Sequence, residues 1–390
     1  MIPNPEKPLL GVFDMVTSIG GVQKVMTNLM PGLQESFDIR IIDPYENNDY
    51  KYMARMAGLT YQSLGHSPRK PYIEGKNRVT HAYGLAARSP WLLMTALRLR
   101  RWVAQNSPDI LYFNQLPSAM LFPRFLPPRR PALIYHAHGF ASPADIRNGR
   151  YISRRFNKIL AVSCFTSRQL EGVGVKPDKI RIVQNAVDVD KIQRLSRTSG
   201  KTMPEKPESS VVFVQVGVIN NNKGQHLAVE ALNKLSSKAN LWICGDVPIG
   251  GDRTYLTRLK NRIRILGLED RVKLLGWRDD VPQVLGTADI CILPSTCFES
   301  FGIAAAEAMA LAKPCIGTNV GGIAEVIEDG RTGIIVQPDA DSLANAMVRL
   351  EVSEALRKDM GAAGLTRVNQ LFSLPVQANR ISHELRSLLR

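Results

Sequence analysis

Twice along this chain, short apolar runs rich in Val and Ile alternate with longer segments of helical periodicity. The first series reads "LLGVFDM", "IRIID", "DILYFNQ", "ALIYHAHG", "ILAVS" and "IRIVQNAV"; the second reads "SVVFVQVGV", "LWICGD", "VKLLGW", "ICILPS", "PCIGT" and "TGIIVQP". Apolar runs without polar alternation are strands covered on both faces, and strands separated by helices form parallel sheets through crossover connections. Between the two series lies "RTSGKTMPEKPESS", polar and rich in Pro, Gly and Ser, with the composition of a linker. The pattern predicts an α/β protein of two doubly wound parallel-sheet domains in tandem with a cleft between them. The expected boundaries are a first domain over 1–195, a linker over 196–209, a second domain over 210–370, and a C-terminal helix over 371–390 that packs back on the first domain. Sheets of this kind bind ligands beyond the carboxyl ends of their strands, so those positions are where function should be sought.

Composition narrows the classes. Hydrophobic content of 44% and charged content of 22% are those of an ordinary globular protein. No apolar run reaches the ~18 residues needed to cross a bilayer, and "MIPNPEKPLLGVFDMV" lacks the features of a signal peptide. Five cysteines, an odd number with no C-x-x-C pair, suit reduced thiols. A cytoplasmic location follows as the expectation, with peripheral attachment to the inner face of the plasma membrane as a variant of it. The net charge of +15 is uneven: residues 1–200 sum to +14, and 51–170 hold 19 Lys/Arg against three acids. Such asymmetry points to an anionic partner, or to a solvated basic face.

The strand ends of the second half carry a constellation. "VFVQVGVINNNKGQHLAVEAL" reads as strand, polar loop and helix, with Lys223 and Gly224 at the helix start. Unpaired N–H groups and a lysine together suit a phosphate. "ILPSTCFESFGIAAAEAMA" repeats the geometry, with Glu299 in the loop, Ser300, Phe301 and Gly302 at the helix start, and Glu307 about two turns further on. Carboxylates accept hydrogen bonds in pairs and vicinal hydroxyls supply them in pairs, so two carboxylates beside a phosphate site suggest a ligand hydroxylated on either side of that phosphate. N-capping by Glu299 and a surface position for Glu307 are the plain alternatives. In the first half, "MVTSIGGVQKVMTNLM" places Gly20 and Gly21 between strand and helix, where a tight turn and close ligand approach are possible. "ALIYHAHGF" puts His136 and His138 on one strand face, without further ligands at metal spacing.

These pieces together resemble the retaining glycosyltransferases of family 4. "ESFGIAAAEA" is similar to that family's pair of glutamates eight residues apart. The Gly20-Gly21 loop, "HG" at His138, "AVSCFTSRQL", "NAVD", "VGVINNNKG", "LLGW" and "GGIAEVIEDGRTGIIV" follow in the family's order over nearly the whole chain. The resemblance implies the GT-B fold, two Rossmann-like domains facing across a cleft, and transfer of a hexose from a nucleotide-diphosphate sugar. It further implies that Glu307 holds ribose hydroxyls, Glu299 donor-sugar hydroxyls and Lys223 the diphosphate. Backbone around Phe301, Gly302, Gly20 and Gly21 would add N–H donors, and His138 would meet the donor sugar from the opposite wall. UDP-sugars come first as donor and GDP-mannose second. The acceptor would be a glycan or a lipid-linked saccharide of the cell envelope or an exopolysaccharide. No cofactor or metal ion is expected beyond the donor itself. Two positions depart from the family: Val218 stands where a second diphosphate-binding Arg is usual, and "NAVD" replaces "NGVD".

The basic first half suggests where the acceptor or a membrane meets the chain. "RSPWLLMTALRLRRW" sets Trp91, Leu92, Leu93, Leu97 and Trp102 beside Arg98, Arg100 and Arg101; "MLFPRFLPPRR" mixes Leu121, Phe122, Phe125 and Leu126 with Arg124, Arg129 and Arg130. Mixed basic and bulky apolar residues suit an anionic lipid surface, although a helix packed on its own sheet gives the same pattern. Rival classes remain: a sugar-nucleotide-binding protein of other activity, epimerase-like or non-catalytic, and a basic nucleic-acid-binding protein. The first half is short of RNA-module motifs, so no nucleic acid is expected. A dehydrogenase would need G-x-G-x-x-G after a strand, which no loop here contains.

Overall fold

The structure, a computed structural model, describes residues 7–16, 20–65, 78–126, 131–139, 146–198, 201–248 and 251–389, with backbone alone at 78–89 and 146. By compactness the chain divides into one unit of Met1–Gln184 with Gln377–Arg390, and a second of Asn185–Val376.

The first unit holds seven parallel strands: β1 (Leu9–Phe13), β2 (Asp38–Asp43), β3 (Thr60–Ser63), β4 (Ile110–Phe113), β5 (Ala132–Ala137), β6 (Lys158–Ala161) and β7 (Ile180–Ile182). They are ordered β3-β2-β1-β4-β5-β6-β7. The second unit holds six: β8 (Val211–Val216), β9 (Ala239–Cys244), β10 (Val272–Gly276), β11 (Ile290–Leu293), β12 (Cys315–Thr318) and β13 (Gly333–Val336), ordered β10-β9-β8-β11-β12-β13. Each order grows outward in one direction from the unit's first strand and then resumes on that strand's other side. The places where direction changes are β1/β4 and β8/β11, the switch points at which parallel sheets open a crevice.

The uninterrupted apolar runs are buried on both faces, as parallel strands must be. Phe13, Leu111, Phe113 and Leu133 are fully enclosed in the first unit, and Phe213, Leu241, Ile243, Ile290 and Ile292 in the second. Each such side chain contributes about 1.5–3 kcal/mol of transfer free energy.

Two features of the chain's course differ in detail from what composition suggests. Helix Val189–Ser196 packs against helix Val281–Thr287, and Gln193 Nε2 donates to the Ala310 carbonyl at 3.0 Å. It therefore belongs to the second unit, whose division from the first falls at Gln184/Asn185. The Pro- and Ser-rich segment is fastened to the same unit. Lys201 N–H donates to Asp280 at 2.8 Å, Lys206 pairs with Asp289 at 2.7 Å, and Arg278 reaches the carbonyls of Lys201 and Thr202. Pro and Ser mark the lack of a regular ladder and leave room for specific contacts. From Gln377 onward the last helix belongs to the first unit, where Lys158 Nζ donates to the Glu384 carbonyl at 3.0 Å and pairs with its carboxylate.

The two basic–apolar segments are also resolved into parts. Phe122 and Leu126 are core residues, and Leu121 and Phe125 pack against the same cluster. Among its described residues that segment therefore offers no apolar face to a lipid; Arg129 and Arg130 lie outside them. In helix Arg78–Asn106, Trp91 and Trp102 are buried while Leu93, Met94 and Leu97 are exposed. Arg98 is tied to the Leu64 carbonyl at 2.7 Å, and Arg100 and Arg101 are exposed. Among the described residues no helix is long and apolar enough to cross a membrane.

Candidate functional site

At the second unit's switch point, two loops leave adjacent strands and touch. The loop after β8 forms a short turn over Asn221–Lys223 and then helix Gln225–Leu232; the loop after β11 runs to helix Ile303–Met309. Lys223 Nζ and Glu299 Oε2 meet at 2.5 Å, with the side chains 28% and 12% exposed. Sequence reading gave the two residues separate ligand groups; the fold makes them direct partners.

The pair is held by polar residues to which the sequence reading gave no role. Asn220 Oδ1 accepts the Lys223 N–H at 3.1 Å, and buried Gln215 donates to the Lys223 carbonyl at 2.6 Å. Thr296 N–H donates across to the Asn222 carbonyl at 2.9 Å, joining the loops. Gly224 is required twice over. Its φ is +64°, and a Cβ there would lie 1.8 Å from the Pro294 carbonyl oxygen. Its first task is thus to let the loops meet rather than to face a ligand.

Glu299 is clamped from the other side. The Gly322 N–H donates to the Glu299 carbonyl at 2.8 Å, and Gly321 (φ +62°) leaves no space for a Cβ, which would sit 1.9 Å from that oxygen. The sequence gave these two glycines only as part of a longer family segment. Ser300 is half-buried, and Phe301 is enclosed edge-to-face against Phe372 at 5.4 Å, so only the backbone of Phe301 can serve a ligand. Gly302 starts the helix at φ +97°, and its missing Cβ would meet only ordinary contacts. The backbone angle, more than room for a ligand, is what calls for glycine there.

Glu307 is half-buried on the same helix and acts electrostatically on Cys244, at the end of β9. Burial pushes the Cys244 thiol up to about 11; Arg278 draws it down, while Asp280 and Glu307 raise it further. Lys223 thus follows β8, Glu299 and Glu307 follow the neighbouring β11, and Glu307 acts on the end of β9. Arg278 is committed to Asp280 at 2.6 Å, whereas Trp277 is exposed. Val218 is exposed, and its carbonyl accepts from Gln225 at 3.0 Å.

The first unit's strand ends hold a different set. His138 follows β5 and lies against His136, with ring centroids 4.1 Å apart. His136 is buried and bonded to the Tyr112 hydroxyl at 2.7 Å; burial, with His138 beside it, holds its pKa well below the usual imidazole value. Gly20 is extended at φ −118° and gives its N–H to Gln23 Oε1 at 3.0 Å. That amide is therefore already used, and the backbone there makes no turn that only glycine allows. Among the described residues nothing lies within 4 Å of where a Cβ on Gly21 would sit.

At the β1/β4 switch point sit Asp14 and Asn114, which the sequence reading passed over. Both are the first residue beyond an apolar strand, a position that is the only signal they give. Tyr50 Oη donates to Asp14 Oδ2 at 3.1 Å. Burial, reinforced by Asp43, raises the Asp14 carboxyl to about 7 against the pull of Tyr50 and the nearby amides of Asn114 and Gln23. Among the described residues, Asp14 Oδ1 and both amide atoms of Asn114 lie outside hydrogen-bonding geometry with any partner. This is a buried polar cluster whose carboxyl holds its proton well above the usual carboxylate range, fit for hydroxyl groups rather than for an anion. Among the described residues no group of three or more His, Cys, Asp or Glu side chains is placed to hold a metal ion.

Comparison with known proteins agrees with both sheets. Residues 198–367 match the family model of glycosyl transferases group 1, and residues 19–191 that of glycosyltransferase family 4. The chain is 35% identical over 202 residues to the N-acetyl-alpha-D-glucosaminyl L-malate synthase of Bacillus anthracis, covering 51% of each chain. It is 28% identical over 250 residues to the UDP-Gal:alpha-D-GlcNAc-diphosphoundecaprenol alpha-1,3-galactosyltransferase of Escherichia coli, covering 58% of this chain and 62% of that one. The match thus spans little more than half the length of these relatives. Among solved structures, Anabaena HepE in complex with UDP-glucose is similar with a TM-score of 0.77 at 20% identity, over 97% of this chain and 100% of that chain. The fold of these neighbours is the GT-B arrangement of two Rossmann-like domains, which the seven- and six-stranded sheets share. Matched along both halves in chain order, the protein belongs to the group 1 glycosyl transferases of family 4.

Proposed function

We propose that the chain is a retaining hexosyltransferase that uses a nucleotide-diphosphate sugar, a UDP-sugar first and GDP-mannose second. Its acceptor is a glycan or lipid-linked saccharide in cell-envelope or exopolysaccharide synthesis. The observation that carries the reading is the Lys223–Glu299 pair at the β8/β11 switch point. Support for the donor class comes from the Anabaena protein solved with UDP-glucose and from the galactosyltransferase of Escherichia coli, named for a UDP-sugar and a diphospholipid acceptor.

In this reading the anomeric C–O bond to the diphosphate breaks as the acceptor hydroxyl oxygen bonds to the same face of the sugar carbon. The hydroxyl proton passes to the departing diphosphate oxygen. Charge grows on that oxygen, and a preorganised ammonium beside it lowers the barrier more than it favours the bound donor. The ammonium carries three donors, so Lys223 can serve phosphate oxygen while still touching Glu299. Glu299 then turns its remaining acceptor capacity to the sugar hydroxyls, Glu307 takes the ribose, and His138 is assigned to the donor sugar. Backbone amides from Ser300 to Gly302, and at Gly21, complete the phosphate contacts. Lysine and amides together neutralise the diphosphate in this scheme, so activity should survive EDTA.

Acceptor contacts fall to the first unit, and the exposed Leu93, Met94 and Leu97 with Arg100 and Arg101 favour peripheral contact with an anionic membrane. A thermal-shift panel of UDP, GDP, ADP and their sugars tests the donor, and proton NMR of the glycosidic product tests the stereochemistry. Stabilisation by no nucleotide sugar, or a product of inverted anomeric configuration, would refute the proposal.

A further inference from the structure

A second ligand-sized feature lies at the other edge of the first unit's sheet, where strands begin. Leu126, Asn157 and Lys179 precede β5, β6 and β7, and around them opens a pocket of ≈ 550 Å³. That is within the range of small-molecule sites, about 300–1,000 Å³. Arg124, Arg154, Arg155 and Lys179 line it, and among the described residues no Asp or Glu does.

The lining presents donors almost alone. Asn157 Oδ1 already accepts the Leu133 N–H at 2.9 Å, which leaves its NH₂ group as the free end. Lys179 gives one hydrogen to the Phe156 carbonyl at 2.7 Å and keeps two. Arg155 is a fixed wall, bonded to the Pro123 carbonyl at 2.9 and 3.0 Å and to that of Leu126 at 3.2 Å. Arg124 lies over the Tyr151 ring at 4.6 Å. Arg124 and Arg154 are exposed, and among the described residues neither they nor Lys179 enter an ion pair.

Helix Ile146–Arg155 accounts for only part of this. Cations in a last turn complement the helix dipole, which suits Arg154 and Arg155. Arg124 and Lys179 converge from two other elements. Burial lowers the pKa of Lys179, with Asp178 partly offsetting it and Lys176 adding to it; burial also lowers that of Arg155. Partly desolvated cations without a lining carboxylate gain from an anion, and planar guanidinium groups match phosphate oxygens.

We propose that this pocket binds a phosphate group, as a monoester or diphosphate on a ligand the size of a sugar phosphate or lipid headgroup. The site is distinct from the one assigned to glycosyl transfer, because Asn157 and Lys179 stand where strands begin, whereas Gly21 and His138 of the same unit lie beyond strand ends. Calorimetric titration with inorganic pyrophosphate tests it, in the Lys223→Ala protein so that the donor site contributes less. Saturable binding is expected, weakened about tenfold or more by Arg124→Gln with Arg154→Gln. Both positions are exposed, and an unchanged melting temperature verifies folding. Lys179→Met should weaken it similarly.

A second arm identifies the source of the phosphate. Co-sedimentation with phosphatidylcholine vesicles containing phosphatidic acid, lost in the same double variant, assigns it to a lipid headgroup. Pyrophosphate binding without vesicle retention assigns it to a soluble ligand. Absence of pyrophosphate binding, or binding indifferent to these substitutions, overturns the proposal.

Discussion

At the β8/β11 switch point a lysine and a glutamate from two loops form an ion pair still open to solvent; at β1/β4 the corresponding strand ends carry Asp14 and Asn114, wholly enclosed. The second unit thus keeps full charges on hand and braces them with Gln215, Asn220, Gly321 and Gly322. The first unit suppresses charge, with a carboxyl raised to about 7 and a neutral His136 nearby on β5. One topology therefore produces two kinds of crevice, and the difference lies in what the two loops bring. Charge held ready fits a diphosphate that gains negative charge on departure, while buried neutral groups fit hydroxyls.

The largest effect expected from breaking the contrast is catalytic. Lys223→Ala should lower kcat on the order of 10²-fold or more, by analogy with removal of an oxyanion donor. Steady-state rates at saturating donor measure it, and full turnover would show that the charged crevice is not where the diphosphate leaves.

A pair of glycine substitutions sharpens the contrast in stability. Gly224→Ala forces a positive φ and a contact 1.8 Å from the Pro294 oxygen, whereas Gly21→Ala enters open space. Denaturant melts should show a loss of about 2 kcal/mol or more for the first and a change within about 0.5 kcal/mol for the second. Equal effects would mean that the two loops are not built to different tolerances.

A third effect is a pH dependence from Asp14. Its folded pKa of about 7 lies above the ordinary carboxyl value of 3.8, so between those values the folded chain keeps a proton that the unfolded chain has released. Stability from this group therefore falls as pH rises through that window and levels off above it; Asp43, also raised by burial, acts in the same direction. Asp14→Asn should gain stability relative to the parent as pH rises from about 5 to about 8. A constant difference between the two proteins across that range would show that Asp14 is not buried as a neutral acid.

The parallel sheets were legible because double-sided burial leaves a signal in every strand. Lys223, Glu299 and Glu307 were legible as charges standing out from apolar or loop surroundings. Their direct pairing was not, since β8 and β11 are neighbours only through sheet order, which alternation alone does not determine. Gln215 reads as an ordinary residue within an apolar strand, and its role depends on the loop folding back over it. Asp14 and Asn114 lie about a hundred positions apart and become a cluster only when β1 and β4 pair. Segment 196–209 had the composition of a free connector, yet Asp280 and Asp289 fasten it, which composition cannot encode.

The central claim is that Lys223, held beside Glu299, receives the donor's diphosphate, and calorimetric binding of UDP, GDP and ADP to three proteins tests it most directly. The account predicts that, for the preferred nucleotide, Lys223→Ala weakens binding about tenfold or more. Glu299→Gln, by removing a negative charge beside the phosphate, should tighten it several-fold while lowering turnover. Unchanged affinity in both variants would contradict the account.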